Sequence, residues 1–588
     1  MANGNVTGKA FDLKLFKRVM RYVGPYRALF YFTATLTIVL ALLSPLRPWL
    51  IQMTVDDYIM VSNYEGLQNM VMLMVALLVV EALVQFFQTY LANWLGQSVI
   101  RDLRVNVYHH ISDFRLKYFD QNAIGTLVTR TISDIETIAD IFAQGILIII
   151  GDLLKLFVVI LFMFFFNWRL TLITLVSLPF LIVATNMFKN AIKSAFQDVR
   201  TQVSRLNAFV QEHITGMNIV QIFNREEIEY DRFKAINKLH RNAHIRTVIA
   251  NAIFFPVVEI LSALSLALLV WWGSKEVLAQ RVELGHLMAF ILFIYMLFRP
   301  IRQLADRFNV LQMGMVASDR VFKVLDTDSV IEDHGNRSAS TIQGNISFRN
   351  VWFAYNEEDW VLKDISLEVE QGQTIAFVGA TGAGKTSIIN LLSRFYEYNK
   401  GNISIDGTDL RAFRLNELRA HIGVVLQDVF LFSDSIHNNI TLQNPDITRE
   451  QVIEAAKIVG AHEFIQRLPG NYDYNVKERG AMLSVGQRQL IAFIRAYVYN
   501  PRVLVLDEAT SSVDTESEEL IQNAIARLTE NRTSIVIAHR LATIQQADTI
   551  IVLDAGRIIE KGNHQELLRR DGAYKRLYEL QFTEAGAA

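Results

Sequence analysis

Gly379-Ala380-Thr381-Gly382-Ala383-Gly384-Lys385-Thr386 has the residue types and spacing of a phosphate-holding loop. The glycines let the backbone close around phosphates. Successive N–H groups and the start of the next helix supply positive potential. Lys385 is spaced to reach β- and γ-phosphates, and the Thr386 hydroxyl to ligate Mg²⁺. Apolar residues 374–378 read as the strand before the loop, and 387–395, opening on Ser387, as the helix after it. A chance glycine-rich turn would lack that strand–loop–helix context. Further on, Val503-Leu504-Val505-Leu506 reads as a buried strand ending in Asp507 and Glu508. A carboxylate there can hold Mg²⁺ through water, and its neighbour Glu508 can polarise an attacking water. An isolated acidic pair would read as a helix cap; after a phosphate loop it reads as hydrolytic machinery. Between loop and strand stands a third element, Leu483-Ser484-Val485-Gly486-Gln487.

These groups need two different settings. The chain has 588 residues, too many for one compact domain. It is 51% hydrophobic, with 37 Phe and only 9 Pro, and its mean hydropathy is positive. A water-soluble protein of this length is normally more polar. The net charge of −2 carries no basic excess, so no nucleic-acid partner is expected. With no cysteine, disulfides, thiolate zinc sites and Cys nucleophiles are excluded. Residues 1–7 are polar and show no cleavable signal; the first long apolar run begins near Leu29.

Six apolar runs fill the first half: 29–53, 70–95, 142–166, 170–188, 249–272 and 287–298 with its flanks. A spanning helix takes about 20 apolar residues, which the first five runs meet or nearly meet. The sixth is shorter and leans on even spacing and on Arg299 and Arg302 as end anchors. Basic residues crowd the segment before the first run, the one after the second, and the one between the fourth and fifth. By the positive-inside rule both termini face the cytoplasm. Leu13, Phe16, Met20 and Val23 share one helical face and Lys14, Lys17, Arg18 and Arg21 another, as in a helix lying on a membrane surface. The two long cytoplasmic segments, 102–142 and 189–249, read as helical continuations of the spans. Within the spans, Asp152 and Lys155 are three apart and can neutralise each other, whereas Glu81 and Glu259 have no local cation and suit a watery cavity.

The expected fold is an all-α polytopic membrane domain, six transmembrane helices with long cytoplasmic extensions, plus an α/β P-loop ATPase domain. The expected domains are an N-terminal segment at 1–28, the membrane domain at 29–318, a polar linker at 319–344 and the ATPase domain at 345–588.

Residues 345–588 resemble an ATP-binding cassette, and nearly the whole chain resembles a half-size exporter of the ABC type, with six spans ahead of one cassette. The motifs follow in family order. Tyr355 matches the aromatic that stacks on adenine, and Gln427 the glutamine that senses Mg²⁺. Glu478-Arg479-Gly480 resembles the segment contacting the membrane domain before the signature pentapeptide. Ser511-Ser512-Val513-Asp514 matches the loop linking two ATP sites, and His539 the switch histidine that contacts the γ-phosphate. Phe119-Asp120…Gly125…Leu127…Arg130…Asp134 is similar to the first cytoplasmic loop of such exporters, and Glu212…Gly216 with Phe223-Asn224-Arg225-Glu226 to the second. One departure is Val485, where the family usually has Gly, because a position with φ > 0 would strain Val. Another is Ala123, where Pro is common.

The resemblance implies a site split between two chains. Lys385, Thr386, Gln427, Asp507, Glu508 and His539 come from one, Ser484, Gly486 and Gln487 from the other, with ATP and Mg²⁺ between. The nucleotide contacts on the loop are Gly379, Ala380, Thr381, Gly382, Ala383, Gly384, Lys385, Thr386 and Ser387; Thr386, Gln427 and Asp507 are the metal positions. The partner is a second half-transporter chain, a homodimer favoured, in the bilayer of the plasma (inner) membrane, and the cargo a hydrophobic or amphipathic compound or a lipid. The alternatives are an ATP-gated channel or non-pumping regulator, and one half of a heterodimeric exporter.

Overall fold

The computed structural model describes residues 13–339, 342–356, 359–507, 515–538 and 541–582. The chain divides into two compact units: residues 1–112 with 123–328, and residues 113–122 with 329–588.

The first unit is helical. In hydrocarbon, backbone N–H and C=O groups find partners only within a helix or a closed barrel. Among the described residues, five helical segments are long and apolar enough to cross a membrane: Gly24–Ile59, Tyr64–Ser112, Ile146–Phe166, Trp168–Thr215 and Glu226–Leu278. A sixth apolar stretch, Leu284–Pro300, is shorter and opens the 42-residue helix Leu284–Leu325. The 49- and 53-residue helices run about 70–80 Å at ~1.5 Å per residue, over twice a hydrocarbon core of about 30 Å. The turn between the third and fourth segments is tight because Asn167 caps the helix that follows. Its side-chain oxygen accepts from the N–H groups of Arg169 at 3.0 Å and Leu170 at 3.2 Å. Side chains such as Leu78, Leu83, Phe86 and Phe87 remain half exposed or more, as lipid-facing residues would.

The charges in the spans pair across helices rather than along them. Arg47 Nε stands 3.1 Å from Glu81, and Arg307 Nε 3.5 Å from Asp152. Among the described residues Asp152 thus has an ion pair on another helix and none within reach at Lys155, and Glu81 has a cation that its own helix could not supply. The N-terminal helix Leu13–Arg21 docks on protein through part of its apolar face. Val19 and Val23 are buried, while Leu13 stays 71% exposed. Arg18 donates two hydrogen bonds to Asp326 and lies 4.3 Å over the Phe322 ring.

Among the described residues the second unit carries ten strands: β1 (Ile346–Ala354), β2 (Trp360–Val369), β3 (Thr374–Val378), β4 (Lys400–Ile405), β5 (Thr408–Asp409), β6 (Ile422–Val425), β7 (Val503–Asp507), β8 (Thr533–Ile537), β9 (Thr549–Asp554) and β10 (Arg557–Gly562). An antiparallel sheet has the order β2-β1-β4-β5, and a six-stranded sheet the order β10-β9-β3-β8-β7-β6. The latter is parallel apart from β10. Its central strands are buried on both faces, which explains their unbroken apolar runs. Alternate residues divide between two cores: Ala376, Val378, Leu504, Leu506 and Val536 enter one, and Ile375, Phe377, Val503, Val505, Ile535 and Ile537 the other.

Gly314 marks a close helix–helix approach. A Cβ there would lie 2.2 Å from Ile141 Cγ1 and 3.1 Å from the Thr137 carbonyl oxygen. Overpacking of this kind costs about 1–3 kcal/mol. Gly314→Ala is expected to lower the melting temperature of the detergent-solubilised protein. Gly125→Ala, with nothing within 4 Å of its Cβ, is the control that does not.

Candidate active site

Strand β3 delivers the chain into the loop 379–384, and the helix Lys385–Leu392 leaves it. Two glycines are required by shape. Gly384 has φ +104°, and a Cβ on it would meet Leu362 Cδ2 at 2.7 Å; a Cβ on Gly379 would meet the Leu553 carbonyl oxygen at 2.2 Å. Lys385 is buried, and its Nζ donates to the carbonyl oxygens of Gly379 at 2.6 Å and Ala380 at 3.0 Å. The ammonium thus folds back over the loop, among groups that entering phosphates would contact. Burial lowers its pKa, opposed by the negative charge of Asp507. Asp507 ends β7, and burial raises its pKa; Lys385 opposes this and Asp428 reinforces it. In the sheet only β8 separates β7 from β3, and the three run parallel, so β7 ends at the same edge as the strand that enters the loop. Ala383 and Ser387 are buried, and Thr381, Gly382 and Thr386 are exposed on the loop's outer side.

Tyr355 is held from two directions. Its hydroxyl lies 3.0 Å from Ser387 Oγ and accepts from Asn390 Nδ2 at 3.1 Å. Its ring meets Phe353 and Tyr396 edge-on, at 4.7 and 4.9 Å between centroids. Tyr396 in turn donates to Asp120, in the short helix Leu116–Gln121. That helix belongs to this unit: the Arg115 N–H donates to the Ser329 carbonyl at 2.8 Å, and Phe114 bridges to Val330. Tyr396 and Asn390 were not singled out from the sequence. Nothing local marks them, since Asp120 and Tyr396 are 276 residues apart.

Gln427 follows β6, is exposed, and lines an open cleft with Asp428, Arg479, Val485 and Arg488. Ser484 is the N-cap of the helix Val485–Val498 and forms a capping box with Gln487. Ser484 Oγ accepts from the Gln487 N–H at 3.2 Å, and the Ser484 N–H donates to Gln487 Oε1 at 3.0 Å. Gly486 is buried in the first turn. Arg488, another residue without a sequence signal, donates to the carbonyls of Leu483 and Gly480 and pins the turn before the helix. That turn is strained: Lys477 has φ +61° and Arg479 φ +54°. Among the described residues, no hydrogen bond or ion pair joins 483–487 to the loop 379–387. Glu508, Asp514 and His539 lie outside the described residues.

Val485 is the first residue of its helix, is 40% exposed, and is not among the residues with positive φ. The strain that a left-handed conformation would impose there is absent.

A phosphate loop on a parallel sheet, carried in one chain with membrane-spanning helices, defines a membrane-embedded ATPase. Residues 30–301 match the family described as ABC transporter transmembrane region, and residues 362–511 the family described as ABC transporter. The chain belongs to the ABC transporter family, and its cassette is an ATP-binding ATPase coupled to transport. It is 37% identical to the uncharacterized ABC transporter ATP-binding protein YknV of Bacillus subtilis over 587 residues, 99% of this chain and 97% of that one. It is 34% identical to an ATP-dependent lipid A-core flippase of Syntrophus aciditrophicus, covering 97% of this chain and 95% of that one. It is also 34% identical to the putative multidrug export ATP-binding/permease protein YgaD of B. subtilis, covering 96% and 99%.

Because the backbone at Val485 is unstrained, Val485→Gly relieves nothing there: it is expected to leave the melting temperature unchanged or lower, since glycine in a helix costs stability, and to bring no large gain in ATPase turnover. A tenfold gain in turnover, measured by phosphate release, would contradict this.

Proposed function

We propose that this chain exports amphipathic small molecules or lipids across the plasma membrane, driven by ATP, as one half of a homodimer with both termini in the cytoplasm. The observation that carries the reading is the phosphate loop with its infolded Lys385, built on the sheet of a chain that also has helices long enough to cross a bilayer. The relatives named for a lipid flippase and for multidrug export support the cargo class.

The proposed division of labour follows the chemistry of each side chain. Lys385 leaves the carbonyls of Gly379 and Ala380 for the β- and γ-phosphates, which the N–H groups of residues 379–387 surround. Tyr355 stacks on adenine. The hydroxyl of Thr386, the amide oxygen of Gln427 and the carboxylate of Asp507 are hard oxygen donors that suit Mg²⁺, with Asp507 acting through water. Glu508 accepts the proton of the attacking water and His539 donates to the γ-phosphate. Ser484, Gly486 and Gln487 of a second copy close the site, at a helix N-terminus that favours anions, and Asp514 links the two sites.

Dimerisation accounts for an exposed apolar surface in the second cytoplasmic segment. Around the short helix Met217–Ile222, Ile214, Ile219, Ile222 and Phe223 are each more than half exposed. Tighter binding of ATP to the closed pair than to the open pair is the source of work, and hydrolysis removes it.

Glu508→Gln is expected to cut ATP turnover by at least a hundredfold, within the range of a lost general base, while ATP affinity stays within about threefold. Near-normal hydrolysis would refute the role of Glu508. The wild-type chain, purified alone and reconstituted in vesicles, is expected to hydrolyse ATP and to accumulate amphipathic dyes against a gradient. Inactivity alone with activity beside a second half-transporter would favour a heterodimer, and purely dissipative flux a channel.

A further inference from the structure

We propose that the first and last spanning helices are tied by a divalent-cation site of zinc type, made of Asp56, His286 and Glu283. Asp56 lies in the π-helical turn Thr54–Ile59 that ends the first span. Glu283 and His286 flank the start of the helix Leu284–Leu325. One ligand atom from each falls within 4.8 Å of the others. His286 Nδ1 is 3.7 Å from an oxygen of Asp56 and 3.7 Å from one of Glu283, too long for hydrogen bonds.

The arrangement is built, not a chance gathering of acids. The Asp56 side chain is 6% exposed, yet its Oδ2 has no hydrogen-bond partner and faces His286. Its other oxygen is fixed: the Gly285 N–H donates to Asp56 Oδ1 at 2.7 Å. Only glycine permits that approach, because a Cβ on residue 285 would lie 2.5 Å from Asp56 Oδ2. Gln52 Nε2 lies 3.5 Å from His286 Nδ1, at the outer limit of a hydrogen bond, so a neutral ring with its proton on Nε2 leaves the Nδ1 lone pair open to a metal. In that tautomer an imidazole lone pair and oxygens of two carboxylates converge with no hydrogen bond among them. A buried carboxylate oxygen in that position is costly unless a cation meets it.

The donor set selects the ion. Zinc accepts imidazole nitrogen and carboxylate oxygen at about 2.0–2.1 Å, which sets ligands roughly 3.3 Å apart, a modest contraction from the distances here. Three protein ligands leave one tetrahedral position for water. Mg²⁺ and Ca²⁺ prefer six or more oxygens and gain little from an imidazole. The Gly285 N–H contact to the far oxygen of Asp56 is the outer-shell support that such ligands usually have.

The test uses the full-length chain in detergent, stripped with EDTA, dialysed and titrated with Zn²⁺ alone. The expected result is one zinc per chain at micromolar affinity or tighter, a rise in melting temperature that EDTA reverses, and no competition from millimolar Mg²⁺ or Ca²⁺. Co²⁺ in place of zinc is expected to give the visible absorption of a four-coordinate site. His286→Ala and Asp56→Asn should each weaken zinc at least tenfold. Glu283→Gln, at a residue 66% exposed, provides the same readout if the buried variants do not fold. His240 and His244, whose rings lie 4.7 Å apart on one helix, are the competing site. Zinc that is lost in His240→Ala but kept in His286→Ala would overturn the proposal, as would absence of stoichiometric binding in the wild type.

Discussion

The bilayer offers no hydrogen bonds to a peptide group, and most of this chain's architecture follows from that. Each crossing must be a helix, so the first unit is a set of helices whose length is set by more than the membrane. Helices of 49 and 53 residues extend well past any hydrocarbon core. Their excess length carries the polar and basic residues that could not sit in lipid. The same rule makes charge within the spans expensive, and the chain answers by pairing Arg47 with Glu81 and Arg307 with Asp152 across helices.

The ATPase half obeys a different constraint. Phosphate must be met by backbone N–H groups, so the loop needs glycines, and a rigid sheet must hold the loop in place. Strands β3, β7 and β8 are buried on both faces, and their alternating residues lock two cores together. This rigidity allows Lys385 to sit buried against two carbonyls and within the electrostatic reach of Asp507. The signature helix uses the opposite arrangement. Its N-terminus is exposed at Val485, and Ser484 and Gln487 satisfy each other in a capping box. One element is a closed cradle and the other an open helix end, which is the asymmetry a site shared between two chains would need.

What was legible in the sequence was what is local. The phosphate loop, the strand ending in Asp507, the apolar runs and the pentapeptide are contiguous, and short-range physics determines them. The backbone state of Val485 could not be read, because the same residue fits a helix N-terminus or a strained turn. Long-range pairings were equally hidden. Asp152 and Lys155 looked like partners at helical spacing, but Arg307 supplies the nearer charge. The docking of Leu13–Arg21 through Val19 and Arg18 depends on Asp326 and Phe322, some three hundred residues away. Period and composition say which face of a helix is apolar, not which protein surface or lipid covers it.

The most informative of the long-range contacts runs from Asp120 to the phosphate loop. Asp120 accepts from Tyr396, whose ring meets Tyr355 edge-on, and the Tyr355 hydroxyl reaches Ser387, two residues past Lys385. Burial and the neighbouring carboxylate push the Tyr396 pKa up, so its hydroxyl stays protonated and remains a donor at any physiological pH. The donor side of the contact is therefore constant, and movement of Leu116–Gln121 or of Tyr396 would break it. A hydrogen bond to a charged group is worth about 1.5–3 kcal/mol, enough to bias two arrangements by tenfold or more. Tyr355 is held by Ser387 and Asn390 on one side and by Tyr396 on the other, so the short helix and the aromatic beside the loop share one chain of contacts. Residues 113–122, which fold with the ATPase unit although the sequence places them between two stretches of the helical one, thus have a direct physical hold on the residues around the phosphate site.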